Sequence, residues 1–368
     1  LVSQLHQTRL EINMNAVAQN LNEFRRLLKP GTGIIAMVKA FAYGSGSAEI
    51  ASLLEYNGVS WFAVAYADEG VALREEGITS PVIVMNSDES VLELMIRHNL
   101  EPEIYSLESY HAFASVARRF GLLNYPVHIK LDTGMHRLGF SIEDIDDLIT
   151  GLSAQQHLKV VSLFSHLAAS DDPALDAFTR RQASMLIAVS ERLRSELGYS
   201  FSMHLLNTSG IIRFPEYQFD MVRLGIGLYG IGHHEEMMLK QTGRFVTAVS
   251  QVRKVPSGEP VSYGCLGVSD RDREIAVIPV GYADGLRREL GEGRGSLFIR
   301  GQRVPIIGKI CMDMCMTDVT GMNVRRGDEA EIFGTGISIE EIAALCNTIP
   351  YEILTSIPQR VKRVYLNE

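Results

Sequence analysis

Short apolar runs alternate with amphipathic stretches from residue 33 to about residue 229, and this alternation limits the possible folds more than any other feature of the chain. Such alternation is typical of repeated strand–helix units. We predict strands near residues 34–38, 61–65, 82–85, 103–105, 127–131, 159–164, 203–206 and 220–223. Eight units in roughly 200 residues indicate a parallel (β/α)8 barrel of the TIM type.

The pattern changes after Gly230, where β-rich segments are separated by turns rich in glycine, proline and aspartate. Such turns between short apolar segments favour a second, mainly β domain, so we expect an α/β barrel followed by a β-rich domain. A first strand near residues 8–12 fits either domain. The predicted β segments cover residues 245–252, 274–280, 296–300, 303–310, 316–319 and 330–333, with one helix near 338–346.

The composition is that of a globular protein, with 46% hydrophobic and 21% charged residues among 368. A formal charge of -9, with both signs interspersed, leaves no basic face for nucleic acid and no polybasic membrane anchor, so we expect small-molecule partners. No apolar run approaches the ~18 residues of a membrane span. The cysteines at 265, 311, 315 and 346 lack metal-binding spacing, which favours reduced thiols, a cytoplasmic location and no metal site.

Lys39 follows the first predicted barrel strand and precedes Tyr43 and Gly44. A lysine that is shielded from water has a lowered pKa, so its amine is free near neutrality to form a Schiff base with a carbonyl substrate or with pyridoxal phosphate. A lysine that closes a strand is more often simply solvated. Lys39 alone therefore leaves both interpretations open.

Polar residues close several of the predicted strands. In a barrel of parallel strands these ends meet at one rim, where the active sites of such barrels lie. Each residue could also be an ordinary polar strand end, but five strands converging on one rim favour a site. The residues are Lys39, Lys130 with Asp132, His166, Asn207 with Thr208, and Arg223.

Residues 38–44, Val-Lys-Ala-Phe-Ala-Tyr-Gly, resemble the lysine motif of the alanine racemases, enzymes that use pyridoxal 5'-phosphate (PLP). Further segments match the same family in the same order: Lys-Leu-Asp-Thr-Gly-Met-His-Arg-Leu-Gly at 130–139, Ser-His at 165–166, Asp-Met-Val-Arg-Leu-Gly-Ile at 220–226, Val-Ser-Tyr-Gly at 261–264, Gly-Tyr-Ala-Asp-Gly at 281–285 and Ile-Cys-Met-Asp at 310–313. The resemblance implies a barrel over residues 12–235 and a β-rich domain over 1–11 and 236–368. It also implies a homodimer that makes D-alanine for peptidoglycan.

The resemblance assigns the PLP phosphate to Tyr43, the Thr208 hydroxyl and the amides near Gly225 and Ile226, with Asn207 in the same turn as Thr208. Serine, threonine and backbone N–H groups in a turn are suitable phosphate donors. Thr208 is equally compatible with a helix N-cap.

Arg223 is placed by the resemblance at the pyridine nitrogen of PLP, with His166 between Arg223 and Tyr263. An always-charged guanidinium donates a hydrogen bond without protonating the ring, which weakens the cofactor as an electron sink and suits prompt return of a proton. A buried salt bridge is the ordinary alternative for an arginine at a strand end.

Racemisation requires an acid–base group on each face of the α-carbon. The resemblance assigns the proton of the D-enantiomer to Lys39 and that of the L-enantiomer to Tyr263 of the neighbouring subunit. A tyrosine has a pKa of about 10, so a phenolate near pH 7 needs roughly 4 kcal/mol of preferential stabilisation. Nearby cations can provide it.

Substrate binding is assigned by the resemblance to Arg137, which also contacts the phenolic oxygen of PLP, and to the backbone N–H of Met312. Tyr282 and Asp313 line the substrate entrance from the partner subunit. Lys130 supports Arg137, in part of the family as a carbamate.

The leading hypothesis is a homodimeric, cytoplasmic alanine racemase. A serine or broad-spectrum racemase of the same fold and a non-enzymatic PLP carrier are the alternatives, although related carriers lack a second domain. Arg223 disfavours a decarboxylase, because those enzymes place an acidic residue at the pyridine nitrogen.

Overall fold

The computed structural model describes residues 8–232 and 237–367. The chain divides into two compact units. The barrel unit comprises, where described, Ala18–Ala42 and Ser47–Leu239. The sheet unit comprises, where described, Leu1–Val17, Tyr43–Gly46 and Lys240–Glu368. The domain boundary predicted between residues 235 and 236 lies outside the described residues.

The described residues form the following strands and helices. The strands are β1 Arg9–Asn13, β2 Gly33–Met37, β3 Trp61–Val64, β4 Val82–Val84, β5 Glu101–Ile104, β6 Tyr125–Lys130, β7 Leu158–Phe164, β8 Ser202–His204, β9 Met221–Leu224, β10 Gly243–Ala248, β11 Gln251–Val255, β12 Arg273–Ile278, β13 Ser296–Ile299, β14 Gln302–Ile307, β15 Cys315–Asp318, β16 Glu329–Phe333 and β17 Lys362–Leu366. The helices are α1 Met14–Leu27, α2 Lys39–Tyr43, α3 Ser47–Tyr56, α4 Ala67–Glu75, α5 Leu92–Arg97, α6 Leu107–Arg119, α7 Ile145–Ser153, α8 Asp176–Leu197, α9 Thr208–Arg213, α10 Ile339–Leu345 and α11 Pro350–Thr355.

The barrel unit is built on a closed barrel of eight parallel strands, β2 to β9 in chain order. The predicted parallel barrel is confirmed, and each predicted strand overlaps an observed one. The barrel closes where β9 pairs with β2, with Ile35 opposite Arg223. Parallel strands are covered on both faces, which explains why runs such as Val82–Val84 are entirely apolar and buried.

The helices follow the apolar periodicity of the sequence. In α1, apolar residues at helical spacing form the buried face, and Val17, Leu21 and Phe24 are fully buried. The longest helix, α8, ends at Gly198, whose φ of 71° closes the helix in the left-handed region. Among the described helices, none combines the length and the apolar character that a membrane span requires.

The sheet unit contains a nine-stranded sheet in the order β11-β12-β15-β14-β13-β16-β10-β1-β17. The first strand lies inside this sheet, because β1 pairs antiparallel with β10 and parallel with β17. The prediction of a separate, mainly β domain is confirmed. The sequence does not predict α11 or β17.

The β-rich segment predicted over residues 245–252 is confirmed, and it is divided between two strands, since β10 ends at Ala248 and β11 begins at Gln251. The N–H of Val249 donates to the Asp328 carbonyl at 2.9 Å, and the N–H of Ser250 donates to the Val277 carbonyl at 2.9 Å. The chain therefore leaves the β16 ladder and joins the β12 ladder within two residues.

Candidate active site

Lys39 begins an unusual left-handed turn at the carboxyl end of β2. The four residues after it all have positive φ, between 50° at Ala42 and 55° at Phe41, and none is glycine. Left-handed backbone costs a non-glycine residue about 1–2 kcal/mol. The turn is held by Glu69, whose Oε1 accepts the Ala40 N–H at 2.6 Å, and by the Ala42 N–H, which donates to the Val38 carbonyl at 3.0 Å.

The amine of Lys39 is electrostatically prepared to lose its proton. Burial lowers the pKa of Lys39, and the charges of Arg137 and Lys130 lower it further. Glu69 and Glu103 act in the opposite direction without reversing the shift. Among the described residues, the Lys39 amine has no hydrogen-bond partner, so it is free to react.

Arg223 is a buried, fully oriented guanidinium at the end of β9. Its Nη2 donates to the carbonyls of Ser165 at 2.7 Å and Leu205 at 2.8 Å, and its Nη1 donates to His204 Nδ1 at 2.6 Å. Within the described part of the chain, the Nε–H has no acceptor. Arg223 therefore presents one fixed donor for an incoming acceptor atom.

His166 lies beside this guanidinium, with Nδ1 3.4 Å from Arg223 Nη2. Burial, followed by the charges of Arg223 and Arg137, lowers the pKa of His166 well below its usual value. The ring is therefore neutral at pH 7. Because a guanidinium only donates, Nδ1 of His166 accepts and Nε2 carries the proton.

A line of hydrogen bonds runs from Arg223 through the interior of the barrel. His204 Nε2 lies 3.0 Å from Ser162 Oγ, Ser162 Oγ lies 2.6 Å from His128 Nδ1, and His128 Nε2 lies 2.7 Å from Glu101 Oε2. The Arg223 end fixes the roles of His204, because a guanidinium only donates: Nδ1 of His204 accepts, and in the neutral ring Nε2–H donates to Ser162 Oγ. Consecutive hydrogen bonds of this kind polarise one another.

The sequence patterns did not predict this line of hydrogen bonds, although the polar residues that form it stand out within the strands. His128, Ser162 and His204 are completely buried polar residues inside apolar strands. Phe164 covers the line, since its ring stacks on His204 with a centroid distance of 4.5 Å and lies 5.3 Å from Arg223 Cζ. Polar residues in the middle of buried strands are the pattern that indicates such a network.

Lys130 does not support Arg137 through a hydrogen bond, contrary to the expectation from the sequence. Its Nζ donates to Glu103 Oε1 on the adjacent strand β5 at 2.8 Å, because a buried ammonium requires an anion whereas two cations repel. Burial raises the pKa of Glu103 to about 7, against the lowering influence of Lys130, Arg223 and Arg137. Sequence analysis also missed Glu103, which it treats as an ordinary strand residue.

Asn207, not Thr208, caps helix α9, so the alternative of Thr208 as N-cap is wrong. Asn207 Oδ1 accepts the Gly210 N–H at 2.9 Å and the Ser170 hydroxyl at 2.8 Å. Thr208 Oγ1 instead accepts the Gly227 N–H at 3.3 Å. These contacts place the Thr208 hydroxyl beside the turn that follows Gly225 and Ile226.

Only glycine fits at position 227. A Cβ built on Gly227 would lie 2.4 Å from the Phe24 ring and 2.9 Å from the Thr208 side chain. The close approach brings backbone N–H groups next to the hydroxyl, an arrangement that suits a phosphate.

Arg137 lies in an exposed position on the loop after β6. Asp132 organises that loop, because its Oδ1 accepts the N–H groups of Gly134 at 2.9 Å and of Met135 and His136 at 3.1 Å. Burial raises the pKa of Asp132, but these donors outweigh it and hold the pKa below its usual value. Among the described residues, the guanidinium of Arg137 has no hydrogen-bond partner.

The other predicted site residues belong to the sheet unit. Tyr263 lies in a short exposed turn, with 68% of its surface accessible, and Tyr282, Met312 and Asp313 are also exposed. The Tyr282 N–H donates to the Cys311 carbonyl at 3.1 Å. In the same unit, Asp313 accepts from the Arg360 guanidinium at 2.8 Å.

Tyr43 also belongs to the sheet unit, where its ring centroid lies 5.8 Å from that of Tyr351. Burial, and secondarily the charge of Tyr351, raises the pKa of Tyr43. Its phenol therefore remains protonated and is a hydrogen-bond donor.

The donor set of the barrel unit fits PLP. A free amine at Lys39, the unused Nε–H of Arg223 and the Thr208 hydroxyl beside a tight glycine turn match an aldehyde, a pyridine nitrogen and a phosphate, respectively. Among residues 8–232 and 237–367, no group of three or more histidine, cysteine, aspartate or glutamate residues is arranged to hold a metal ion.

Family models match both parts of the chain. Residues 12–233 match the alanine racemase N-terminal domain, and residues 243–365 match the alanine racemase C-terminal domain. The alanine racemase of Methanococcus maripaludis is 36% identical over 371 residues, which cover 97% of this chain and 98% of that protein.

Solved structures show the same similarity. The alanine racemase of Clostridium difficile is 31% identical, with a TM-score of 0.93 over 99% of this chain and 97% of that one. The alanine racemase of Bartonella henselae, crystallised with covalently bound pyridoxal phosphate, is 28% identical, with a TM-score of 0.89 over 98% of this chain and 100% of that one.

Proposed function

The chain belongs to the alanine racemase family, and from this premise we propose that Lys39 and Tyr263 exchange the α-proton of alanine on opposite faces. The chain is a PLP-dependent isomerase that racemises alanine. The main support for the mechanism is the free amine of Lys39, with its lowered pKa, at the rim that also carries the buried Arg223 guanidinium.

Two bases are needed because one group can only return a proton to the face from which it took it. We assign the proton of D-alanine to Lys39 Nζ and the proton of L-alanine to Tyr263 Oη. PLP, when bound, supplies the electron sink that makes this proton acidic. Lys39 is suited to its role because burial and neighbouring cations hold its pKa down, so the amine accepts a proton near neutrality.

The second base requires a stabilised phenolate. The tautomer of His166 leaves Nε2–H as a donor, and we propose that it donates to Tyr263 Oη of the partner subunit. Arg223 contacts the other nitrogen of the same ring and supplies positive charge behind it. Together they would provide part of the roughly 4 kcal/mol that a phenolate near pH 7 requires.

Arg223 fixes the cofactor ring in this proposal. The carbonyls of Ser165 and Leu205, together with His204, orient the guanidinium, so its Nε–H donates to the pyridine nitrogen in one direction. Because a guanidinium keeps its proton, the ring nitrogen stays unprotonated and proton return is favoured over side reactions.

We place the remaining contacts as follows. The Tyr43 phenol, the Thr208 hydroxyl and the amides near Gly225 and Ile226 hold the phosphate, beside the cap made by Asn207. Arg137 and the Met312 N–H bind the substrate carboxylate, and Tyr282 and Asp313 line the entrance.

Two equal sites in a homodimer would account for the exposed residues of the sheet unit. Tyr263, Tyr282, Met312 and Met314 are 44–68% exposed, and exposed large apolar side chains become buried when they lie in a subunit interface. In the dimer that we propose, each chain supplies Lys39 to one site and Tyr263 to the other.

The cellular role that we propose is supply of D-alanine for peptidoglycan in the cytoplasm. All four cysteines are free thiols, which suits a reducing compartment. The family matches favour an enzyme over a cofactor carrier and alanine over serine.

The decisive experiment incubates the PLP-loaded enzyme with each alanine enantiomer in deuterated water and follows α-proton loss and chirality together. With the wild-type enzyme, alanine should lose its α-proton and its chirality at matching rates. In Tyr263→Phe, the rate of α-proton exchange from L-alanine should fall at least about a hundredfold, because general acid–base groups contribute about 10²–10⁴ in rate. The rate of exchange from D-alanine should be kept.

Tyr56→Phe is the matched control, since Tyr56 is 90% exposed and far along the chain from the proposed bases. Exchange from L-alanine at the wild-type rate in Tyr263→Phe would overturn the two-base assignment, and preference for L-serine would redirect the substrate.

A further inference from the structure

Glu103 is a carboxylate locked inside the barrel with only half of its hydrogen-bonding capacity used. It lies on β5 with no exposed surface, and its Oε1 accepts from Lys130 at 2.8 Å. Its Oε2 is buried and has no hydrogen-bond partner. A buried, unpartnered carboxylate oxygen is costly, so a donor is expected in the working site.

The surroundings of Glu103 are strongly cationic. Four cations lower the pKa of the neighbouring His166: Lys39, Lys130, Arg137 and Arg223. Three of them, Lys130, Arg223 and Arg137, also favour the ionised form of Glu103. Glu103 is thus a buried carboxyl group whose ionised form these cations favour against the effect of burial.

Arg137 is our candidate for the donor to the free oxygen. Its charge is close enough to lower the pKa of Glu103, and within the described residues its guanidinium has no hydrogen-bond partner. The Nη groups of Arg223, in contrast, are already occupied by the carbonyls of Ser165 and Leu205 and by the His204 ring. An unpaired carboxylate oxygen and an unpaired guanidinium are complementary halves of a charge-assisted hydrogen bond.

We propose that Glu103 is a positioning residue for Arg137: Lys130 holds one carboxylate oxygen, and the other receives the Arg137 guanidinium when substrate and cofactor are bound. The inference rests on the proposed function, because Arg137 is there assigned to the substrate carboxylate. The barrel strand β5 thereby supplies the anion that orients Arg137, and Lys130 remains an unmodified ammonium.

The chemistry of Lys130 follows from the same geometry. To form a carbamate, a neutral Nζ must attack the carbon of CO2, forming an N–C bond while one C=O bond opens and a proton leaves the nitrogen. Nζ already donates to Glu103 Oε1 at 2.8 Å, and CO2 would have to displace this contact. The product would also place a second anion against a buried carboxylate.

The first test reads the state of Lys130 without an activity assay. The holoenzyme is equilibrated with ¹³C-bicarbonate, and its ¹³C NMR spectrum is compared with that of Lys130→Met. We expect neither spectrum to contain a resonance of a protein-bound carbamate. A carbamate resonance present in the wild type and absent from Lys130→Met would overturn the proposal, whether or not the enzyme racemises alanine.

The second test measures coupling between Glu103 and Arg137. Glu103→Gln keeps the shape and removes the charge, so KM for L-alanine should rise and kcat/KM fall at least about tenfold, with Glu103→Asp between Glu103→Gln and the wild type. If the two side chains act as one unit, Glu103→Gln combined with Arg137→Ala should be no worse than Arg137→Ala alone. Multiplicative losses in the double variant would overturn the proposal.

Glu331→Gln is the matched control, because Glu331 is also a buried carboxylate that binds a cation, Arg244, at 3.1 Å but belongs to the sheet unit. It should lose thermal stability without a change in KM. An equal rise of KM in Glu331→Gln and Glu103→Gln would mean that Glu103 is merely structural. A wild-type enzyme without racemase activity would refute the proposed function and leave the NMR result intact.

Discussion

The barrel unit and the sheet unit both bury charged residues, but they connect those residues differently. In the sheet unit, Arg244 binds three carboxylates across neighbouring strands: Glu11 at 2.8 Å, Glu329 at 2.8 Å and Glu331 at 3.1 Å. Glu331 is satisfied on both oxygens, since the Gly336 N–H donates to Oε1 at 2.7 Å. This network closes on itself and ties strands together.

In the barrel unit, the networks of buried charged residues leave hydrogen-bonding groups without a partner among the described residues. The line from Glu101 stops at Arg223, whose Nε–H has no acceptor among the described residues, and the Lys130–Glu103 pair leaves Glu103 Oε2 without a donor. The comparison teaches that burial of charge alone does not mark a site. Buried groups that are oriented by others and still have one hydrogen bond to make are the stronger candidates for a site.

The largest difference between the two units should appear when one arginine in each is replaced by lysine. Arg223→Lys leaves the buried carbonyls of Ser165 and Leu205 without their donor, at about 1–3 kcal/mol each. The free energy of unfolding should therefore fall by at least about 2 kcal/mol, and bound PLP should be lost. Arg303→Lys breaks a paired but exposed contact to Glu341 at 2.7 Å and should cost less than about 1 kcal/mol. Thermal denaturation and cofactor absorbance measure both. Equal losses would contradict the comparison.

A smaller, unit-specific effect is expected from pH. Burial lowers the pKa of His204 well below its usual 6.5, so the folded protein binds fewer protons than the unfolded chain and stability is lost as pH falls below 6.5. The slope should be about 1.4 kcal/mol per pH unit for this histidine. His204→Gln should flatten the decline between pH 6.5 and 5, measured by denaturant unfolding, whereas replacement of the exposed His111 should not.

The sheet unit provides an internal control for that measurement. The described residues of the sheet unit contain no histidine, so acid-induced opening that is caused by histidine titration should begin in the barrel unit. Amide hydrogen exchange should therefore show acid-induced opening first in β7 and β8. Opening that begins in β10 or β16 would assign the acid sensitivity to other groups.

The smallest effect is expected at left-handed positions. Ala40→Gly should stabilise the protein by under about 1 kcal/mol, because relief of about 1–2 kcal/mol exceeds the entropic cost of glycine, about 0.4–1 kcal/mol. In the sheet unit, Asn347 has a similar φ of 52°, and Asn347→Gly should change stability little because asparagine tolerates this conformation. Denaturation midpoints of the two variants test the difference. A larger gain at position 347 would refute it.

Local pattern determined the elements of the barrel unit and the polar ends of its strands. A parallel strand buried on both faces must be apolar until it leaves the barrel, so the first polar residue after it marks both the strand end and the rim. This reasoning located Lys39, Lys130, His166 and Arg223. The motifs added the family, whose models match both parts of the chain.

The tertiary structure alone decided which buried polar groups meet. His128 faces Ser162 because the register between β6 and β7 shifts after Val127, and Glu103 meets Lys130 because β5 pairs with β6. A shift of one residue moves a side chain to the other face of the strand, and closure of the barrel fixes the stagger between strands, so these pairings cannot be deduced from one strand alone. The sequence by itself therefore determined the barrel, its rim and the place of Lys39 at that rim. The partner of Lys130 and the line behind Arg223 came from the three-dimensional packing, because hydrogen bonds between distant strands form only when all eight strands are in register.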